Sequence, residues 1–248
     1  MSLLEQASSV LKDMMTAEGR LKLRIERNTK KLLERYAQSE ARMEAAEKLR
    51  EIGSPQAIYS LARRFSATTE NLGVDQDEKR HVRDMLVGFG QKAVEPLQLY
   101  LRRHNQVTWA IDALSALRPD EEVAPFLLDV LQDGDPVHIR GDKASQLIKA
   151  LEEMQVDGVV EGIIPCLKSP DDTVRYAAVE CLEEHADERA REPLLEALVS
   201  PEEDSVRVQM RIAEALEQLG WEVKGFRKKV EAVLREPFRV SSKGKVLR

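Results

Sequence analysis

The chain has 248 residues, 33% of them charged, with a net charge of −6 and only 4% aromatic residues. Such a length suits one or two ordinary domains or a single repeat array, and so few rings leave little for stacking nucleic-acid bases. No apolar run approaches the roughly 20 residues a bilayer-spanning helix needs, and Met1 to Gln6 lack the basic-then-apolar order of a secretory signal.

Charge is distributed in blocks. Residues 1–38 carry 8 basic and 5 acidic side chains, residues 119–204 carry 7 and 23, and residues 224–248 carry 9 and 2. An acidic stretch of net −16 repels nucleic acid and attracts basic protein segments, unless it serves solubility alone. The cysteines, Cys166 and Cys181, fall on apolar helical positions, as expected of buried thiols in a reducing cytoplasm rather than of a disulfide framework.

In chain order, residues 3–36 read as one long helix. Leu4, Ala7, Leu11, Met14, Leu21, Ile25 and Leu32 stand near a seven-residue spacing, interrupted by Glu18 and Asn28. Three roles are open to it. It caps the first hairpin over Ile52, Ile58 and Leu61, it pairs with a second copy or a partner in a homodimer-like seam, or it lies on a membrane surface. The mixed Glu, Lys and Arg of its polar face argue against the last, and no membrane partner is expected.

From residue 39 a unit recurs. Its clearest copy runs Ser169-Pro170-Asp171-Asp172-Thr173-Val174-Arg175, then Ala178, Cys181 and Leu182, then Ala190, Leu194, Leu195 and Leu198. Leu182 marks the late first helix of this copy. Leu49, Leu86, Leu114, Leu151 and Leu216 match it elsewhere, at intervals of 37, 28, 37, 31 and 34 residues. Six units of this length fit paired helices. Between the apolar stripes lie Gly53-Ser54-Pro55, Gly88-Phe89-Gly90, Arg118-Pro119-Asp120, Gly134-Asp135-Pro136 and Ser200-Pro201, which end one helix and cap the next. No stretch alternates with period two, so no strands are expected.

These units resemble HEAT repeats of the short bacterial kind also found in phycobilisome lyases. The likeness rests on Asp172-x-Val174-Arg175 with Ala178 and Leu182, on Ala190 to Leu198, on Ala45 to Leu61, and on Val123 to Leu131. It implies an all-α solenoid of about six hairpins, with Asp172 as a helix cap and Arg175 reaching an acidic neighbour. The expected organisation is an N-terminal helix over 1–38, a repeat array over 39–236 and a basic tail over 237–248. Trp221 and Phe226 are expected to close the end of the stack. The tail reads either as an unstructured end or as a segment docking Phe238, Val240 and its lysines onto a neighbour or onto the acidic block.

Motifs for chemistry are sparse. His81, His104, His138 and His185 lie apart, without the His-Glu dipeptides of HEAT-type di-iron hydroxylases. There is no phosphate-binding glycine loop and no nucleophile elbow, and the acidic middle lacks the basic groove of HEAT-like DNA glycosylases. No catalytic residue, metal or cofactor is assigned.

The reading that remains is a non-enzymatic, cytoplasmic protein-binding scaffold whose second helices face a protein or peptide, with no nucleic-acid partner. The outward positions are Tyr59 and Arg63 in the first hairpin, Glu95, Leu99 and Arg102 in the second, and Asp129 in the third. Glu161 and Lys168 follow in the fourth, Glu192 and Glu196 in the fifth, and Lys228 and Arg235 in the sixth. Tyr59 and Leu99 are the apolar anchors, while Asp129, Glu161, Glu192 and Glu196 would meet a basic segment. The rival reading is a lyase, or lyase subunit, acting on a tetrapyrrole or another prosthetic group.

Overall fold

The computed structural model describes residues 16–132 and 141–248, which form an all-α structure of helical hairpins in the α-solenoid manner. The chain divides into two compact units, residues 1–118 and 119–248. The expected helical seam at Leu4, Ala7, Leu11 and Met14, the turn at Gly134-Asp135-Pro136 and His138 lie outside the described residues.

In the first unit, α1 (Ala17–Leu32) packs on α2 (Ser39–Ile52) and α3 (Pro55–Ala62), and is followed by α4 (Leu72–Gly88), α5 (Gln91–Arg103) and α6 (Thr108–Ser115). First helices stack on first helices, α2 on α4 and α4 on α6, while α3 stacks on α5. The stripe that α1 buries is Ile25, Asn28, Thr29 and Leu32. Asn28, expected to interrupt the seam, is tolerated because its side-chain amide donates to the Arg24 carbonyl at 2.8 Å, and the Thr29 hydroxyl donates to Ile25 at 2.8 Å. Leu21, assigned to the seam, is exposed, and the helix stops at Leu32 rather than residue 36.

The second unit contains α7 (Asp120–Gln132), α8 (Gly141–Glu152), α9 (Val159–Ile163), α10 (Asp172–His185), α11 (Arg191–Leu198), α12 (Val206–Leu219) and α13 (Arg227–Val233). A 3₁₀ turn, Ile164–Lys168, continues α9. Here α8, α10 and α12 stack in one row, and the 3₁₀ turn, α11 and α13 in the other. A Cβ on Gly162 would lie 2.5 Å from Leu128 Cδ2, so glycine lets α9 settle on α7.

All six marker leucines are buried to 1% exposure or less, which fixes the register of the hairpins. Four residues beyond Leu49, Leu182 and Leu216, the chain turns left-handed at Gly53, Ala186 and Gly220 (φ 58°, 51° and 63°), ending each first helix in the same way. Helix α4 ends at Gly88, as the Gly88-Phe89-Gly90 sequence predicts.

Buried charge ties the first unit together. Arg42 on α2 donates to both oxygens of Glu78 on α4, at 2.6 and 2.9 Å. Arg64, fully buried after α3, reaches Glu78 Oε2 at 3.1 Å and Asp75 Oδ1 at 2.6 Å, while Lys79 pairs with Asp75 at 2.7 Å. The spare donors go to backbone: Arg64 to Ala67 at 2.9 Å, and Arg42 to Ala37 and Glu34. Burying charges is costly unless every one is matched, and here the matching pins the loops after α1 and after α3.

Two expectations are corrected at the C-terminal end. Strands do occur: β1 (Arg239–Val240) pairs antiparallel with β2 (Val246–Leu247), two residues each, too short for an alternation to register. Residues 237–248 are therefore not an open tail. Phe238 and Val246 are buried, β2 lies on α12, the Arg248 guanidinium pairs with Glu214 at 2.9 Å, and the Arg248 amide donates to Glu217 at 2.8 Å. This hairpin covers α12, whereas Trp221 and Phe226, expected to close the stack, are half-buried.

Candidate functional site

The second unit carries a groove of about 910 Å³ on the row of second helices. One bank is the 3₁₀ turn and the Ser169-Pro170 loop, and the other is the chain from Val199 to Asp204. Pro193 and Ala197 of α11 form the floor with Ile164 and Leu167, Glu196 stands exposed beside them, and Phe226 and Lys229 close one side. The floor exists because second helices here are short. Helix α9 gives way to the 3₁₀ turn at Pro165, and α11 ends at Leu198, leaving loops to stand above them.

Arg175 links the two banks. Its guanidinium donates to the carbonyls of Ser169 (2.8 Å) and Pro170 (3.2 Å) on one side, and to Glu203 (2.8 and 2.9 Å) and Asp204 (3.2 Å) on the other. Glu203, itself buried, also accepts from the Ser205 amide at 2.9 Å, and its carbonyl accepts from Gln209 at 2.8 Å. The hydrogen bonds that Arg175 donates to Glu203 raise its guanidinium above the ordinary range despite its burial. The groove is thus braced from beneath. The cap of α10 needs correcting: Asp171 accepts from the Thr173 amide at 2.8 Å, while Asp172 accepts from the Ser205 hydroxyl at 2.9 Å and pairs with Arg207. Either aspartate satisfies the sequence pattern, and only the Asp171 backbone is extended enough to cap.

Charges on the rim are mixed. Glu196, Glu202, Asp204, Lys168 and Lys229 are exposed around apolar Ile164, Leu167, Ala197, Val199 and Phe226.

The outward positions expected from sequence fall as follows. Glu196 and Lys168 line the groove, and Glu192 is exposed one turn before Glu196. Glu161 pairs with Arg189, so part of the acidic face is neutralised internally. Asp129 is exposed on α7. In the first unit Arg63 lines a shallower hollow of about 420 Å³ between α1 and α3, with Ile25, Thr29 and Leu33 among its walls. Glu95, Leu99 and Arg102 share one exposed face of α5. Tyr59 is half-buried, with its hydroxyl 3.0 Å from His104 Nε2, and His104 stacks on Tyr100 at 4.3 Å. Phe226 and Lys229 were not assigned to a binding surface from sequence. Their part in the groove follows from how α13 returns, which no local pattern signals.

Cys181 is buried and Cys166 half-buried. Burial pushes Cys166 up to about 11 and Cys181 up to about 12, the latter helped by the Glu152 carboxylate. Among the described residues no three His, Cys, Asp or Glu side chains converge as metal ligands, and no helix is long and apolar enough to cross a membrane.

Against known protein families, HEAT repeats match residues 138–217 and, overlapping, residues 160–236. The stretch that builds the groove therefore lies within the part of the chain that is similar to HEAT repeats, an architecture that generally mediates protein–protein interaction. No curated protein matches the chain.

Proposed function

We propose that the HEAT repeats of residues 138–236 make this chain a non-enzymatic scaffold that holds an extended segment of a protein partner in the groove between the Ser169-Pro170 and Val199–Asp204 banks. The observation that carries this reading is the groove itself. It has an apolar floor on the second helices and walls locked together by Arg175, so little ordering is left to be done when a segment binds. Basic residues of that segment face Glu196, Glu202 and Asp204, with Glu192 extending the acidic side, and an apolar side chain meets Leu167 and Ala197.

The test is a pull-down from native lysate with the wild-type chain and with E192K/E196K. The double variant is expected to lose the main captured protein, and wild-type capture to weaken as salt rises, while far-UV circular dichroism stays unchanged. An identical captured set with both baits would remove the groove from the binding surface.

A further inference from the structure

The C-terminal hairpin does more than cover α12. The Val223 amide donates to the Gly244 carbonyl at 2.8 Å, Glu222 bridges Lys245, and the Arg227 guanidinium donates to the carbonyls of Ser241 (3.2 Å) and Ser242 (3.3 Å). These bonds gather Lys224, Arg227, Lys228, Lys243 and Lys245, all exposed, at one corner of the second unit. Within this group Arg227 pairs with Glu231 at 2.9 Å. The result is a cationic corner on a folded support, at the end of a unit whose residues 119–204 carry net −16.

We propose that this corner is a docking site for a short acidic polypeptide segment, separate from the groove. Complementarity sets the sign of the ligand, and the rest of the unit sets its size. A few glutamates or aspartates span about 10–14 Å and stay near the cations. A nucleic-acid duplex or an anionic bilayer extends well beyond the screening distance of about 8 Å and meets the acidic remainder of the unit. Lysine predominates over arginine here, which favours flexible point-charge contacts with carboxylates over bidentate phosphate clamps. The two arginines nearby are already engaged, Arg227 with the turn and Arg248 with Glu214.

Fluorescence anisotropy of a labelled oligoglutamate peptide against the full chain tests the proposal. Wild type is expected to bind at low salt and to weaken steadily as salt rises. K224E/K243E, which changes two exposed residues outside the helices and strands, is expected to bind about tenfold more weakly. K92E, an exposed lysine of the first unit, should bind like wild type. Should the double reversal perturb the circular dichroism melt, K224A/K243A provides the milder comparison, with a smaller loss in the same direction. No binding at low salt overturns the proposal, as does an equal loss in K92E or none in either double variant. Tighter binding of duplex DNA or of phosphatidylserine vesicles than of the peptide overturns the assignment to a polypeptide. Salt-reversible self-association abolished by K224E/K243E, without peptide binding, would give the corner to a second copy instead.

Discussion

Arg42 stands seven residues before Leu49, as Arg175 stands seven before Leu182, and each guanidinium crosses to a buried glutamate at the next hairpin, Glu78 or Glu203. The two pairs lie in different units and obey the same rule. A basic residue early in the first helix finds an acid at the start of its successor, and spare donors close on the backbone of the preceding loop. Apolar packing between hairpins is non-directional, so these pairs add what packing lacks, a defined register between neighbours.

Glu78 has two guanidinium partners and Arg42 has backbone acceptors besides Glu78, so the two positions differ in consequence. Glu78→Ala leaves Arg42 and Arg64 both short of an acceptor in the interior, and is expected to cost about 3–5 kcal/mol. Arg42→Ala leaves Glu78 with Arg64 and should cost less. Urea unfolding of both variants checks the order, and a larger loss in Arg42→Ala would contradict this account of the cluster.

Burial alone would raise both Asp75 and Glu78, but Lys79 and Arg64 pull Asp75, and Arg42, Ser39 and Arg64 pull Glu78, below the ordinary carboxylate range. A carboxylate lowered on folding stabilises the fold above its unfolded value of about 4, and that contribution is lost as pH falls through the lowered folded value. Wild type should therefore lose stability below about pH 4, and D75N/E78Q should start less stable and show a flatter dependence there. Melting temperatures from pH 7 to pH 3 are the measurement, and parallel curves for the two proteins would refute the assignment.

Phe238 holds the C-terminal hairpin down, together with Val246. Phe238→Ala should destabilise the second unit by about 3–5 kcal/mol and expose the 241–244 turn to protease before any other change. A variant with wild-type melting and wild-type cleavage would show that the hairpin contributes nothing to the stack.

With Cys166 raised to about 11 and Cys181 to about 12 by burial, neither thiol is a thiolate at neutral pH. A disulfide reagent at pH 8 is expected to react with neither in the folded chain and with both in urea. Rapid reaction of one cysteine in the native protein would show that its surroundings are more open than the packing of α10 on α8 and on the 3₁₀ turn allows.

The sequence by itself determined the repeat. Leucines at intervals of 28 to 37 residues, each followed by turn residues, are a one-dimensional signal, because an α-helix shows its buried stripe in the linear spacing of apolar residues. That is why Leu49 through Leu216 all prove buried. Arg175 as a reaching residue came from the likeness of its motif to HEAT units, not from that spacing. The tertiary structure alone decided what depends on partners far apart in the chain. Arg64 finds Asp75 and Glu78 only when α3 lies beside α4, and Lys229 joins Glu196 in lining one groove only because α13 returns to α11. Likewise Lys224 and Lys243 share a corner because Val223 and Gly244 exchange a hydrogen bond that no spacing announces. Periodicity encodes which face is buried; it carries no record of which charges meet once the faces are joined.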